Sequence, residues 1–157
     1  MKKQILSTVL GLLMTTLVTT TYALGTNPAS NPKLTAKEKA VKNFTSQFET
    51  ISDPAVILEK EGMILQSKVE DHSITSAYDR KGNWTYTIKL YPTESLAGNI
   101  VKIVNDHYSN YFITKMEKVD QPGQATVFVV HMQNDDSFKT LRVVNKDVEL
   151  VQDFKKG

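Results

Sequence analysis

Residues 55–91 have the sequence AVILEKEGMILQSKVEDHSITSAYDRKGNWTYTIKLY, which carries the clearest structural pattern in the chain. Segments rich in β-branched and aromatic residues, which are typical of strands, lie at 55–60, 63–70, 74–80 and 84–91. The gaps between them have hairpin length and contain turn-forming residues, namely Glu61-Gly62, Asp71-His72-Ser73 and Lys81-Gly82-Asn83. The stretch therefore predicts antiparallel strands that are neighbours in chain order.

A helix is predicted immediately before these strands. Thr35 and Glu38 have the spacing of a capping box, in which each side chain accepts a hydrogen bond from a free backbone N–H at the helix start. Apolar side chains then recur at helical spacing, at Val41, Phe44, Phe48 and Ile51. The helix should end near Ser52-Asp53-Pro54, because a proline cannot continue it.

The same order of elements is predicted again in the second half of the chain. Pro92-Thr93-Glu94 should open a helix with Thr93 as its N-cap and a buried stripe of Leu96, Ile100, Ile103 and His107. Strands follow at 111–119, 124–133, 138–144 and 148–154. A shift of 64 residues places Phe44 on Tyr108 and Phe48 on Phe112, which favours an internal repeat.

The predicted fold class is therefore α+β. It consists of two tandem units, each with one helix and a four-stranded antiparallel meander, at about 35–91 and 92–154. The helices should lie on one face of the sheet.

The N-terminal segment predicts export. Lys2 and Lys3 precede an apolar run at 5–18, and Thr21-Tyr22-Ala23 places small residues before a cleavage site. Residues 1–23 are therefore predicted to be a cleaved signal peptide and residues 24–34 a flexible mature N-terminus, without a stable membrane span after cleavage. We expect a periplasmic or secreted protein. Cysteine is absent, so stability in an oxidising compartment must come from packing.

The charge of the mature chain excludes one class of partner. Of 19 basic residues, Lys2 and Lys3 belong to the signal segment, so the rest equal the 17 acidic residues. Lysines and acids also alternate along the chain instead of forming a basic stripe. No nucleic-acid partner is therefore predicted.

The residues with the types needed for catalysis or metal binding lie mainly in predicted turns. Asp71-His72-Ser73 contains the types of a hydrolase triad, but three consecutive residues cannot converge as a triad does. His131 with Asp135 and Asp136 could offer metal ligands, yet zinc sites favour three or more His or Cys ligands. No catalytic residue, metal site or cofactor is predicted, and the chain is not expected to be an enzyme.

Binding is expected on the sheet face that the helices leave open. Alternation along 84–91 places Trp84 with Tyr86, Ile88 and Leu90 on an apolar face that should pack in the core. The alternate set is polar and aromatic and should lie on the open face. The predicted binding residues are Lys89 and Tyr91 first, then Tyr78, with Thr85 and Thr87 beside them.

Several motifs together resemble a family. They are Asp79-Arg80-Lys81-Gly82-Asn83-Trp84, the Pro92 helix opening, the pair Tyr108 and Tyr111, and the closing strands. Over about 35–154 the chain resembles the PepSY-like domains of bacterial envelope proteins, which are similar in fold to the β-lactamase inhibitory protein. One departure is Asn145-Lys146-Asp147, where the family usually has an Asp and Gly turn. The resemblance implies binding outside the cytoplasm, including inhibition of a partner, and no catalytic residue.

The predicted function is that of an exported, non-catalytic binding module. Its partner should be another envelope or secreted protein, which it binds or inhibits. The first alternative is a structural envelope protein that assembles with copies of itself through its sheet edges or open face. A hydrolase is the second alternative and has the least support.

Overall fold

The computed structural model describes residues 34–93 and 96–157. The predicted signal peptide, and the predicted flexible N-terminus except Leu34, lie outside the described residues. Helix α1 (Ala36–Gln47) begins at the predicted capping box, in which Glu38 N donates to Thr35 Oγ1 at 3.2 Å. The carboxylate of Glu38 in turn accepts from Thr35 N at 2.8 Å.

The strands form one antiparallel sheet in which each strand pairs with the next along the chain. Between β4 and β5 the chain forms helix α2 (Gly98–His107). The strands, in their order across the sheet, are β1 (Ala55–Glu59), β2 (Gly62–Val69), β3 (His72–Asp79), β4 (Trp84–Tyr91), β5 (Phe112–Asp120), β6 (Val127–Gln133), β7 (Ser137–Val144) and β8 (Asp147–Lys155).

The prediction of two tandem helix-plus-four-strand units is wrong, although the α+β class is right. β4 pairs with β5 from Thr87 to Tyr91, so the strands of both halves share one continuous eight-stranded sheet. The residues that the structure describes include only two helices. In two separate units, β4 and β5 would be edge strands with unpaired backbone N–H and C=O groups. The hydrogen bonds of the β4–β5 ladder pair these groups with each other.

The start predicted for the second helix is also wrong. α2 begins at Gly98, and its N-cap Ala97 provides no side-chain hydrogen bond. Thr93 instead donates its hydroxyl to the carbonyl oxygen of Thr114, at the start of β5, at 3.2 Å. The predicted cap residue is therefore used to attach the connection to the sheet.

Both helices pack on the same face of the sheet, which we call the helix face. Ala40 and Phe44 of α1 pack with buried residues of β2 and β3, including Leu65. Ile100 and Val104 of α2 pack with β5, β6 and β7 around Met116, Val130, Met132, Leu141 and Val143. We call the opposite face the open face. In the part of the chain that the structure describes, no helix has the length and apolar character needed to cross a membrane.

Candidate functional site

A β-bulge at Thr85 decides which side chains of β4 reach the open face. Tyr78 pairs with Trp84 and Ala77 pairs with Tyr86, so Thr85 is an extra residue with no partner in β3. A bulge of this kind interrupts the alternation of side chains along a strand. Trp84 therefore packs against the α1 core, while Tyr86, two residues later, lies on the open face.

The face assignment of the predicted binding residues is consequently wrong. Lys89 and Tyr91 lie on the helix face, because they pair with Ile74 of β3 and Met116 of β5, which belong to the two cores. Both are half-buried and line a small cleft. Whether they bind a ligand stays a prediction.

The other predicted binding residues have structural contacts. Tyr78 is buried and donates its hydroxyl to Asn43 Oδ1 of α1 at 3.1 Å, and burial raises the pKa of Tyr78 to about 12. Thr87 is buried beside Ser76. Thr85 is exposed and donates its hydroxyl to the carbonyl oxygen of Ala77 at 2.9 Å.

The open face is apolar over much of its area. Val119, Val127 and Val129 form a buried cluster on it, against which Ile88 and Val144 pack. Further apolar side chains are only half-buried and extend this surface towards β1: Ile57, Ile64, Tyr86 and Leu90. The face without helices thus carries a buried valine cluster and an adjoining set of half-buried apolar side chains.

A row of phenylalanines lies at one end of the open face. Phe112 of β5 pairs with Gln133 of β6, Gln133 with Phe138 of β7, and Phe138 with Phe154 of β8. These phenylalanines are 77%, 47% and 58% exposed, respectively. We call them the phenylalanine row. Aromatic side chains exposed together in one register are unusual on a surface that meets only water.

A charged cluster occupies the middle of the same face. The Glu117 carboxylate is buried, and its Oε1 lies 2.6 Å from Lys115 Nζ and 3.9 Å from His131 Nε2. Burial, then the charge of Lys115, lowers the pKa of His131, and Glu117 opposes both effects. His131 Nδ1 lies 3.3 Å from Thr140 Oγ1, whereas the buried Nε2 has no hydrogen-bond partner in the part of the chain that the structure describes.

The histidines do not converge on a reaction centre. His72 contacts Tyr91 edge to face, with ring centroids 4.7 Å apart. His107, expected in the buried stripe of α2, is instead exposed at the end of that helix, where Nδ1 lies 2.8 Å from the carbonyl oxygen of Ile103. Within residues 34–93 and 96–157, no group of three or more His, Asp or Glu residues could hold a metal ion.

Sequence reasoning missed the residues that are most prominent on the open face. The predicted repeat aligned Phe112 with Phe48 of the first apolar helix stripe, which gave no reason to expect Phe112 on an exposed strand surface. A bulge between Thr140 and Leu141 shifts the β7–β8 register, so hairpin length alone does not pair Phe138 with Phe154. The sequence groups His131 only with Asp135 and Asp136, as potential metal ligands that are not expected to form a site, and gives no sign of its contact with Glu117 of the adjacent strand.

Neither a family model nor a curated protein matches the chain. Its fold is similar to that of solved structures from Bacteroides. One is a DUF2874 family protein of Bacteroides ovatus ATCC 8483, with a TM-score of 0.58 and 12% identity over 81% of this chain and 89% of that one. Another is a BLIP-like protein of Bacteroides fragilis NCTC 9343, with a TM-score of 0.57 and 14% identity over 85% and 92%.

A third similar structure, from Bacteroides eggerthii DSM 20697, is provisionally described as periplasmic and has a TM-score of 0.56. Its identity is 9% over 74% of this chain and 86% of that one. At these identities the likeness concerns the fold alone. The predicted similarity in fold to the β-lactamase inhibitory protein is confirmed in this sense, whereas membership of the PepSY-like domains is not confirmed.

Proposed function

We propose that the chain is an exported, non-catalytic binding module that contacts a partner protein through the open face. The phenylalanine row is the observation that carries this proposal, because clustered, exposed aromatic rings anchor protein interfaces. The half-buried apolar residues of β1 to β4 extend the surface. The similarity to a BLIP-like fold supports binding, and inhibition of the partner is the more specific form of the proposal.

Export is part of the same proposal. It is supported by the signal-like residues 1–23 and by the provisional assignment of one similar structure to the periplasm. Intact-mass analysis of the exported protein should show a chain that begins between Leu24 and Thr26. Recovery of residues 1–25 on a membrane-bound product would contradict it. Kinship with the PepSY-like domains remains a proposal that rests on the sequence motifs alone.

The proposed face is tested by removing two neighbouring rings of the phenylalanine row. The double variant Phe138→Ala with Phe154→Ala, attached to beads, should capture at least about tenfold less of any envelope protein that the unchanged chain retains. The matched control is Leu58→Ala, since Leu58 is 67% exposed on the other face of β1. Equal capture by a folded double variant would contradict the proposal.

Self-assembly is the second candidate function, and one observation favours it. β1 is an edge strand whose Val56, Ile57 and Leu58 are apolar, and such edges can pair with another copy unless a charge protects them. If β1 pairs between copies, sedimentation should show a dimer that Leu58→Lys dissociates. A monomer at all concentrations would leave the binding module as the better proposal.

A further inference from the structure

A cleft on the helix face is separate from the proposed partner surface. It lies over β3 and β4 beside the end of α1, and its volume is about 300 Å³. It is lined by Phe48, Thr50, Val69, His72, Ile74, Lys89 and Tyr91. The two residues that the sequence favoured for binding, Lys89 and Tyr91, therefore do share a cavity, although not on the face that was predicted.

The walls of the cleft are mainly rings and aliphatic groups. The His72 and Tyr91 rings meet edge to face with centroids 4.7 Å apart, which fixes their orientation. Phe48 is held in the same way by Phe44, with centroids 5.0 Å apart. Ile74, which belongs to the α1 core, also lines the cleft. A planar apolar group could therefore pack against rings that are already ordered.

Among the described residues that line the cleft, the one charged group is the ammonium of Lys89, and none is acidic. Lys89 Nζ lies 4.9 Å from the centroid of the Phe48 ring. Lys89 forms no ion pair within the described residues, since the nearby Asp120 carboxylate is 3.0 Å from Lys118 Nζ and accepts from Thr126 Oγ1 at 2.7 Å.

The surroundings of Lys89 disfavour its charged form. Burial, then the charge of Lys118, lowers the pKa of the Lys89 ammonium, and Asp120 opposes this only in part. A partly desolvated cation gains most from an anion that replaces its lost hydration. The cleft thus combines an apolar aromatic wall with a cation that has no ion-pair partner among residues 34–93 and 96–157.

We propose that this cleft binds a small monoanion with a planar apolar body, of the class of aromatic carboxylates. The carboxylate pairs with Lys89, and the ring packs between Phe48 and Tyr91. A volume of about 300 Å³ is at the lower limit of small-molecule sites, which favours a ligand with one or two rings. The inference does not depend on the proposed function, because the phenylalanine row lies on the opposite face.

The test uses phenylacetate as the probe and its neutral amide, phenylacetamide, as the matched ligand. Both are titrated into the mature chain while the backbone amide resonances are followed by NMR. We expect saturable shifts at His72, Lys89 and Tyr91, with phenylacetamide at least about tenfold weaker. Lys89→Met should weaken the binding of phenylacetate by a similar factor. The control is Lys68→Met, which changes a lysine of β2 on the open face and should leave the binding of phenylacetate unchanged.

A second variant protects the test against misfolding. Phe48→Leu keeps the charge of Lys89 but removes one ring, so phenylacetate should bind about fivefold more weakly while acetate is unaffected. The proposal is overturned if no saturable shift appears at these residues. It is equally overturned if folded Lys89→Met binds as well as the unchanged chain, or if acetate binds as tightly as phenylacetate.

Discussion

The hydroxyl oxygens of Ser76 and Thr87 lie 2.7 Å apart between β3 and β4, and both residues are buried. Trp84 Nε1 also donates to Thr87 Oγ1, at 2.9 Å. Thr87 therefore accepts a hydrogen bond from the indole and can donate its own proton to Ser76. These three side chains satisfy one another next to the bulge that sets the faces of β4.

Thr87→Val should destabilise the protein by about 2 kcal/mol. The change keeps the shape of the side chain but leaves the Ser76 hydroxyl and the Trp84 N–H without this partner, and an unsatisfied buried polar group costs about 1–3 kcal/mol. Urea unfolding measures the loss. Thr75→Val is the control, because Thr75 accepts only a long hydrogen bond of 3.4 Å from Gln66. Equal unfolding midpoints for both variants would show that the buried network contributes nothing.

The bulge also explains why the strands were predictable and their faces were not. Turn residues at Glu61-Gly62 and Lys81-Gly82-Asn83 mark where hairpins form, so the strands in residues 55–91 follow from local chemistry to within two residues. The exception at the predicted turn 71–73 is that His72 and Ser73 already belong to β3. Strict alternation from Trp84 then places Tyr86 in the core. One unpaired residue, Thr85, reverses that assignment for the rest of β4, and nothing local to the sequence marks it.

Non-local pairing accounts for the other errors. The repeated order of elements is visible in the sequence, but the ladder that pairs Tyr91 with Met116 joins segments separated by α2. The contact between Glu117 and His131 likewise depends on the register of β5 with β6, in which a bulge lies between Ile113 and Lys115. The capping box of Thr35 and Glu38, by contrast, is local and was predicted correctly.

Gly82 should tolerate alanine much less well than Gly123, although both have positive φ angles, of 73° and 66°. At Gly82 a Cβ would lie 2.3 Å from the carbonyl oxygen of Ala36, at the start of α1, whereas at Gly123 it would meet nothing within 4 Å. Gly123→Ala should therefore lower the free energy of unfolding only by the backbone strain, about 1 kcal/mol. Gly82→Ala should lower it by at least about 2 kcal/mol more.

Urea unfolding of the two glycine variants gives these costs, and amide exchange locates them. In Gly82→Ala, exchange should speed up in the first turn of α1, at Glu38 and Lys39, because α1 must move away from the turn. Similar costs for both variants would contradict the close approach of Gly82 to α1.

His131 should make stability fall as the solution is acidified. Its pKa is lowered in the folded protein, by burial and then by Lys115, so below the ordinary value of 6.5 the unfolded chain binds more protons than the folded one. The contribution of neutral His131 is thus present above pH 6.5 and is lost as the pH falls towards the folded pKa. The effect should be small, since the side chain is partly solvated.

The measurement is the urea midpoint between about pH 7 and pH 5, where histidines titrate. His131→Gln should flatten this dependence. If the slope survives in His131→Gln, another group is responsible for it.

Because β4 and β5 join the two cores in one sheet, the whole domain should unfold in a single step. Leu141 is fully buried in the α2 core, and Leu141→Ala should cost about 2–5 kcal/mol. Trp84 packs against the α1 core and reports that core by its fluorescence. In Leu141→Ala the Trp84 transition should therefore move to lower urea together with the far-UV circular dichroism transition. A Trp84 midpoint that stays in place while the circular dichroism midpoint moves would show that the halves unfold separately, despite the β4–β5 ladder.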